Sequence, residues 1–556
     1  MSLMGSLWTG VSGLQTSNNA LNTTAHNMSN LDTVGYTRQQ VAQATRTYTT
    51  IQKSNKTNWK QLGLGVNYSL TRQERSIFLD KNYRRESGRS AFYDVESSAM
   101  EEIEYILGES GESELLEGHE FSGALSNFWV AVQELSKDPT SSVNQNLFVT
   151  RAYEFVTRAS AVYNSLCEYQ NNLNQCVVNE VDNINKYALE IEELNRKIVA
   201  IEAGAEHAND LRDRRNLLLD KLAQLGSISY TEDITGYVSV RFEDVDLVKG
   251  SLINEMALYT DPKTGFYTPY WTMLANFDYD KEGKLVVTEE GIAGAKVFDL
   301  TREISSDLNT DIGSLKAMLL ARGDHKATYK ELKNFPPDAD PSDPTQAVDG
   351  WYDQQISQSV VMNIQAEFDQ LINAVATKIN DILAEEADRA GSAATSDYLR
   401  DENGEPYKLF VKNVESEDWT VANLLINQDL RQNPALLKFR KDEHSEDYPA
   451  MVKMKEAFEE KIYTLNPNVE TPLAFTDYYR NLVAQVANTG SVLRGIQETQ
   501  TQATDGLLYA REQVVGVSSD EELTNMIRFQ NAYNASSRYI NVISEMLEHI
   551  LTTLGR

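Results

Sequence analysis

Apolar residues recur at spacings of three and four at both ends of this chain of 556 residues. Such a repeat predicts an amphipathic helix whose apolar seam packs against a partner helix. In the N-terminal helix, the predicted assembly residues are Met4, Leu7, Val11, Leu14, Leu21 and Met28. In the C-terminal helix, they are Met526, Phe529, Tyr533, Ile540, Ile543, Leu547, Ile550 and Leu554. We therefore expect the two ends to pair in a coiled-coil-like terminal domain.

The N-terminal helix is unusual because it carries almost no charge. The first 37 residues contain no Lys or Arg, and Asp32 is the one side chain expected to be ionised. For any single leucine, the core of an ordinary helical bundle is an equally good interpretation, because core and interface helices share this pattern. The uncharged polar face as a whole suits water poorly, and it favours contact with neighbours in an assembly.

Between the two ends, the sequence alternates between helical and strand periods. Residues 37–85 predict an extended arm with some strand, and residues 90–225 predict helices. A period of two with turn signals predicts β structure from about 228 to 300. Further helices are predicted at 312–321, 351–389, 449–463 and 475–513, with a strand around 409–411. The predicted fold class is mainly α with inserted β-rich domains, as an elongated multidomain rod.

These changes of period divide the chain into four predicted domains. The terminal helical polymerisation domain comprises residues 1–35 and 520–556, and the helical rod domain comprises 36–225, 305–390 and 471–519. A β-rich insertion domain spans 226–304, and a mixed outer insertion domain spans 391–470.

Composition excludes several classes of partner. A net charge of −31 argues against nucleic acid, because phosphate binding needs a clustered cationic surface. No apolar run approaches the roughly 18 residues that span a bilayer, so we expect no membrane insertion. The N-terminus lacks the basic region and apolar core of a secretory signal. We expect a cytosolic protein, or one that leaves the cell without a cleavable signal. Cys167 and Cys176 lie on opposite faces of one predicted helix and cannot bridge within it.

The sequence contains no readable catalytic, metal or cofactor site. Its six histidines are scattered singly, and His119-Glu120 has Gly123 where a zinc-protease helix needs a second histidine. Gly63-Leu64-Gly65 lacks the third glycine and the following helix of a dinucleotide-binding loop. We therefore predict a protein that is not an enzyme and has no cofactor.

The segment that ends the N-terminal helix resembles a motif of the axial proteins of the bacterial flagellum. The matching residues are Asn27, Asn30, Gly35, Tyr36, Arg38 and Gln39. Two residues depart from the pattern: Ser29 stands where alanine is usual, and Val34 where proline is common. Loss of the proline is expected to loosen the turn slightly.

Three further segments resemble the hook-associated protein 1 family of junction proteins within this group. They are residues 193–198 with 208–215, residues 236–250, and the C-terminal stretch from 516 to 547. Arg215 stands where that family has an acidic residue. The resemblance covers roughly residues 1–40, 190–250 and 475–556, with looser similarity between about 310 and 390.

The resemblance implies a structural protein that joins the flagellar hook to the filament side. It implies export through the flagellar type III apparatus, self-association in a ring, and contact with the hook protein and the second junction protein. It also implies a dedicated export chaperone that holds roughly residues 520–556. The expected location is the extracellular hook–filament junction, after a transient stay in the cytoplasm.

Three alternatives remain open at this point. Another axial protein, such as the second junction protein or the hook subunit, would share the terminal helices. A coiled-coil surface adhesin would carry a signal peptide or an anchor. A flagellar protein with an enzymatic insertion would need a catalytic constellation between residues 226 and 470.

Overall fold

The computed structural model describes residues 3–55, 58–108, 121–204, 206–279, 285–390, 399–401, 404–442, 445–446 and 448–554. Within these ranges, helices predominate and the strands form small antiparallel sheets. The prediction of a mainly α fold with inserted β structure is therefore confirmed. His119, Glu120 and His444 lie outside the described residues, and so does the side chain of Leu554.

The α-helices follow the predicted segments closely. They are α1 (Leu3–Ser29), α2 (Ile77–Leu107), α3 (Phe121–Lys137), α4 (Ser142–Glu202), α5 (Asn209–Leu225), α6 (Glu289–Ile292), α7 (Ser314–Arg322), α8 (Val360–Ala390), α9 (Gln428–Gln432), α10 (Tyr448–Glu459), α11 (Phe475–Val515) and α12 (Ser519–Leu554).

Three predicted boundaries are wrong for local reasons. The predicted arm extends to residue 85, but α2 already begins at Ile77, with Asp80 in the first turn, where a carboxylate stabilises a helix. Helix α8 begins at Val360 instead of 351, because residues 352–356 form a separate π-helical turn. Helix α10 ends at Glu459 because the backbone of Tyr463 pairs with that of Leu473 in an isolated β-bridge.

The strands form hairpins and one larger antiparallel sheet. They are β1 (Gln39–Thr45), β2 (Thr49–Asn55), β3 (Asn58–Leu62), β4 (Val66–Gln73), β5 (Ile228–Glu232), β6 (Val238–Phe242), β7 (Val245–Lys249), β8 (Leu252–Ile253), β9 (Met256–Thr260), β10 (Tyr267–Trp271), β11 (Phe277–Tyr279), β12 (Leu285–Val287), β13 (Phe410–Lys412), β14 (Leu424–Ile426), β15 (Arg440–Asp442) and β16 (Ser445–Glu446). Strands β5 to β8 form a four-stranded sheet in sequence order, and the other strands pair two by two.

The chain divides into two compact units. The first comprises residues 1–90, 183–256 and 500–556. It contains the arm, in which β1 pairs with β4 so that Gln39 lies opposite Gln73 and the register shifts between Ala42 and Gln43. It also contains the four-stranded sheet, whose residues Val238, Val240 and Phe242 alternate with more exposed neighbours and are buried.

The second unit comprises residues 91–182 and 257–499. Its core is built from helices α2, α3, α4, α8, α10 and α11, with aromatic rings at the centre. The ring of Phe121 lies edge-on to Phe368 and Tyr479, at centroid distances of 5.0 and 4.8 Å. Phe128 stacks on Phe148 and Phe155. Each large ring buries more apolar area than an aliphatic side chain does, and the rings help to hold the helices together.

Two further expectations concern cysteine and the membrane. Cys167 and Cys176 both lie on α4 as free thiols, the first buried and the second half-buried, so the prediction that they do not bridge is confirmed. Among the described residues, no helix combines the length and the apolar character needed to cross a bilayer.

One buried carboxyl in the second unit has no compensating partner. The side chain of Glu96 on α2 is 6 % exposed, and its Oε1 has no hydrogen-bond partner among the described residues. Burial disfavours the charged form of a carboxyl, and it raises the pKa of Glu96 to about 8. The folded chain therefore holds this proton more tightly than the unfolded chain does.

We expect the Glu96→Gln variant to change how stability depends on pH. Because the folded-state pKa lies above the unfolded value near 4.3, the contribution of Glu96 to stability is complete below about pH 4 and is lost as pH rises through 8. Relative to the parent chain, the variant should gain roughly 2–5 kcal/mol in free energy of unfolding between pH 5 and pH 8.5. Urea unfolding followed by circular dichroism measures this gain. The exposed Glu101→Gln variant is the control, and an equal gain in both variants would contradict the assignment.

Candidate functional site

Helices α1 and α12 pack side by side in opposite directions within the first unit. A Cβ atom placed on Gly10 would lie 2.8 Å from Ile540 Cγ1, and one on Gly13 would lie 2.9 Å from Ser536 Oγ. Both distances are shorter than ordinary van der Waals contact. The missing side chains therefore let the two helix backbones approach closely. The predicted pairing of the terminal helices is present in this chain.

The predicted assembly residues of α1 and α12 are only partly covered by this pairing. Ile543 is buried at 6 % exposure, whereas Met4 is 57 % exposed and Ile550 is 38 % exposed. The following residues are half-buried: Leu7, Val11, Leu14, Leu21, Met28, Met526, Phe529, Tyr533, Ile540 and Leu547. A seam between only two helices leaves its rim accessible, so each of these side chains keeps an uncovered side.

The most buried face of α1 is polar, and it packs on the arm. Ser12, Thr16, Ser17 and Thr24 are each less than 9 % exposed. Their hydroxyl groups can be satisfied locally: Ser12 Oγ donates to the Thr9 carbonyl at 2.8 Å, and Thr16 Oγ1 donates to the Ser12 carbonyl at 2.9 Å. Ser12 Oγ also accepts the backbone N–H of Val66, the first residue of β4, at 3.2 Å. The uncharged face thus has a neighbour within its own chain, and hydroxyl groups suit it because they need no counter-charge.

Asn27 joins the end of α1 to the start of the arm. Asn27 is 1 % exposed, and its side chain forms two hydrogen bonds with the backbone N–H and carbonyl of Gln39. Asn27 Nδ2 donates to the Gln39 carbonyl at 2.9 Å, and the Gln39 backbone N–H donates to Asn27 Oδ1 at 3.0 Å. The Tyr36 hydroxyl donates to the same Oδ1 at 2.8 Å. An amide is required at this position, because it must donate and accept at once.

The chain turns between Asn27 and Tyr36 through a residue in the left-handed region. Gly35 has φ = +80°, a conformation that glycine adopts without a steric penalty. Asn30 Nδ2 donates to the His26 carbonyl at 3.0 Å, and the same carbonyl accepts the Asn30 backbone N–H at 3.2 Å, so Asn30 closes the last turn of α1. Thr33 Oγ1 donates to Asn30 Oδ1 at 3.2 Å. This turn delivers Tyr36 to Asn27.

Helix α5 supplies two carboxylates to the same turn. The Thr37 backbone N–H donates to Asp213 Oδ2 at 3.0 Å, and Gln39 Nε2 donates to Asp210 Oδ1 at 2.9 Å. Burial raises the pKa of Asp213 to about 6, and the hydrogen bonds from Thr37 act in the opposite direction. Burial also raises the pKa of Tyr36, which keeps its hydroxyl protonated and able to donate to Asn27.

Arg38 ties the turn to the C-terminal helix. Its guanidinium Nε lies 2.9 Å from Glu522 Oε1, and Nη1 lies 2.8 Å from Glu521 Oε2, both in the first turn of α12. The Arg38 backbone N–H donates to the carbonyl of Val515, the last residue of α11. Because the Glu522 side chain is almost fully buried, the Arg38–Glu522 pair is far less screened than a surface pair, whereas the Glu521 side chain is 62 % exposed.

The six motif residues named from the sequence therefore lie in one cluster, which we call the motif node. It comprises Asn27, Asn30, Gly35, Tyr36, Arg38 and Gln39, together with their partners Asp210, Asp213, Glu521 and Glu522. Residues 208–215 and 516–547, which contain these four carboxylates, were recognised from the sequence as points of resemblance, but the carboxylates were not predicted to belong to this cluster. The sequence did indicate such partners, because the backbone N–H groups and the guanidinium of residues 37–39 need acceptors, and both segments supply carboxylates.

Arg215, the departure from the family pattern, has a structural place in the first unit. Its Nη1 donates to Asn195 Oδ1 at 3.0 Å and to the Gly236 carbonyl at 2.7 Å. Burial lowers the pKa of Arg215 to about 10, which leaves it charged at neutral pH.

The described residues contain no cluster of three or more His, Cys, Asp or Glu side chains that could hold a metal ion.

Comparison with known proteins identifies the family. The model of the flagellar hook-associated protein FlgK helical domain matches residues 100–397, which is more than half of the chain. The chain belongs to the FlgK family. Models of the flagellar basal body rod proteins match both ends: the FlgEFG C-terminal model matches residues 513–553, and the rod protein model matches residues 7–37.

Two relatives named flagellar hook-associated protein 1 match over almost their whole length. Flagellar hook-associated protein 1 of Bacillus subtilis is 26 % identical over 549 residues, covering 96 % of this chain and 95 % of that protein. The protein of the same name from Escherichia coli is 22 % identical, covering 97 % and 98 %. The flagellar hook junction protein FlgK from Burkholderia pseudomallei is a solved structure with a TM-score of 0.38 and 16 % identity, covering 61 % of this chain and 47 % of that one.

FlgK proteins are flagellar structural proteins, so the chain is a component of the flagellum. The predicted alternative, another axial protein such as the second junction protein or the hook subunit, is not favoured. Those proteins would explain the matches at the two ends, but the match of the central helical domain is specific to FlgK.

We expect Asn27→Ala to release the arm from α1. The variant loses three hydrogen bonds, two of them to the buried backbone N–H and carbonyl of Gln39. We expect this loss to lower the free energy of unfolding by about 2–4 kcal/mol. Amide hydrogen exchange at residues 37–45 should then accelerate at least about tenfold. The half-buried Asn30→Ala is the matched control, for which we expect a smaller acceleration. The same exchange rate in Asn27→Ala and the parent chain would refute the role given to this amide.

Proposed function

We propose that the paired helices α1 and α12 are the surface through which this chain assembles. The chain is a structural protein of the hook–filament junction of the bacterial flagellum, in keeping with its FlgK family. In the proposed mechanism, subunits leave the cytoplasm through the flagellar export apparatus and assemble outside the cell at the end of the hook. There they form a ring between the hook protein and the second junction protein.

The observation that carries this proposal is the apolar surface that the helix pair leaves uncovered. Trp8 on α1 is 56 % exposed, beside the exposed Met4. On α12 the exposed apolar side chains are Leu523, Ile527, Tyr539, Val542, Met546, Ile550 and Leu551. Extended apolar surfaces of this kind mark sites that bind other proteins. Neighbouring subunits would cover these side chains and the accessible rim of the predicted seam.

The motif node supports assembly as well. It connects α1 and the arm to α5 and to the start of α12. The last turn of α1 and the first turn of α12 are therefore held at one place. We assign the polymerisation role to residues 1–35 and 520–556, and the adjoining rod role to 36–225, 305–390 and 471–519. The insertions at 226–304 and 391–470 then form the outer part of the subunit.

The same exposed side chains on α12 support binding of an export chaperone to residues 520–556 before secretion. Before assembly these side chains face water, and a chaperone groove would shield them.

We expect the double variant Ile527→Ser/Met546→Ser of the full chain to bind its cognate chaperone at least about tenfold more weakly, because two apolar contacts are lost. Isothermal titration measures the affinity. The double variant Val143→Ser/Leu308→Ser, at exposed apolar positions elsewhere, should bind like the parent, and equal weakening of both variants would refute this site.

The function is tested by deleting the gene in its native host. We expect hooks without filaments and flagellin in the medium, with both defects repaired by the intact chain. Gly10→Val should not repair them, because its side chain would collide with Ile540 and separate α1 from α12. Gly506→Val should repair them, since a Cβ at this α11 position meets no atom within 4 Å.

Electron microscopy of the cells and an immunoblot of the medium give the two readouts. Normal filaments in the deletion strain would overturn the junction role. Full repair by Gly10→Val would leave the junction role intact and overturn assembly through the helix pair.

A further inference from the structure

A groove beside the motif node collects positive charge on a strongly acidic chain. Its volume is about 480 Å³, and residues of α1, β1, β4 and α12, all in the first unit, line it. Uncharged polar side chains such as Thr23, Gln43 and Asn525 form part of its wall. The charged lining residues are Arg38, Arg72, Arg528 and Glu522.

The arginines of the groove differ in whether their charge is neutralised. Arg38 lies in ion pairs with Glu521 and Glu522, as described above. Arg72 and Arg528 are exposed, and neither has a carboxylate within 4 Å among the described residues. Arg72 Nη2 donates only a long 3.4 Å hydrogen bond to Gln40 Oε1, and the Arg528 guanidinium lies over the ring of Phe529. Two cations therefore remain available at the groove.

The sequence around the groove is basic, whereas the chain as a whole is acidic. Residues 37–76 contain seven Lys or Arg residues and one carboxylate, Glu74, in a chain whose net charge is −31. The rest of the chain is therefore more acidic than the total. Copies with such a charge repel one another when they are packed side by side. An assembly of identical copies gains local attraction where a basic segment of one copy meets the acidic surface of the next.

We propose that the groove binds carboxylate side chains of a second copy of this chain, with Arg72 and Arg528 as the pairing cations. The inference rests on the proposed assembly in a ring and adds the chemistry of one contact between neighbours. A second copy is favoured because its surface is acidic. The neutral amide and hydroxyl groups of the groove can donate further hydrogen bonds to the same carboxylates. In this arrangement, the basic arm offsets the repulsion between the acidic bodies of adjacent subunits.

The charge of the groove is tested by reversal in the deletion strain. Arg72→Glu/Arg528→Glu places like charges opposite each other across the contact, so we expect the amount of this chain in isolated hook complexes to fall at least about tenfold. Arg196→Glu/Arg480→Glu changes the net charge equally, at side chains that are 71 % and 79 % exposed, and should be incorporated normally. Arg72→Lys/Arg528→Lys, which keeps the charge, should also be incorporated.

The occupant is identified by placing a photo-crosslinking residue at Gln43, which is exposed and lines the groove. In assembled flagella we expect a product that contains two copies of this chain, and we expect it to disappear in the reversed variant. A product with a different flagellar subunit, or no product, would overturn the assignment of a second copy. Circular dichroism and the amount of each variant in the medium show whether it folds and is exported.

Normal incorporation of the reversed variant would refute the groove contact while the junction role stands. Loss of incorporation in the Arg196→Glu/Arg480→Glu control would refute it too, because net charge alone would then explain the defect. A result that refutes the junction role itself would look different, because the deletion strain would then make normal filaments.

Discussion

The two hydrogen bonds between the Asn27 side chain and the Gln39 backbone are the constraint on which the pairing of α1 with the arm depends. They fix the direction in which the chain leaves α1, and they do so in a site closed to water, where a lost hydrogen bond is costly. Once Gln39 is fixed, the two residues before it reach carboxylates: the Arg38 guanidinium meets Glu522 of α12, and the Thr37 backbone N–H meets Asp213 of α5. One amide thus positions segments separated by hundreds of residues in sequence.

Helix α1 buries a polar face and leaves apolar side chains partly exposed, the reverse of an ordinary amphipathic helix. The buried hydroxyl groups of Ser12 and Thr16 bond within α1 or to the arm, so they need no counter-charge. The apolar side chains instead lie along the rim of the α1 and α12 pair, where part of each remains accessible. A single subunit therefore leaves apolar side chains exposed to water, which is the physical basis for assigning it an assembly role. Gly10 is essential to this arrangement because it sets how closely the helices approach.

Charge is distributed in a way that complements this apolar surface. A net charge of −31 makes identical subunits repel one another, and Arg72 of the arm and Arg528 of α12 supply cations at the groove beside the helix pair. Apolar burial is non-directional, whereas ion pairs fix orientation and register between partners. The proposed groove contact would therefore determine which side of a neighbour is presented, and the helix pair would provide most of the binding free energy.

The sequence by itself determined the terminal helices, the mainly α fold and the turn that ends the N-terminal helix. Periodicity and turn chemistry are local properties, and Asn27, Gly35 and Tyr36 lie within ten residues of one another. Only the tertiary structure decided that Asp210, Asp213, Glu521 and Glu522 complete this site, because hydrogen bonds across hundreds of residues have no periodic signature. It also decided that the polar face of α1 meets the arm, since a pattern of hydroxyl residues indicates a covered face but does not specify which segment covers it.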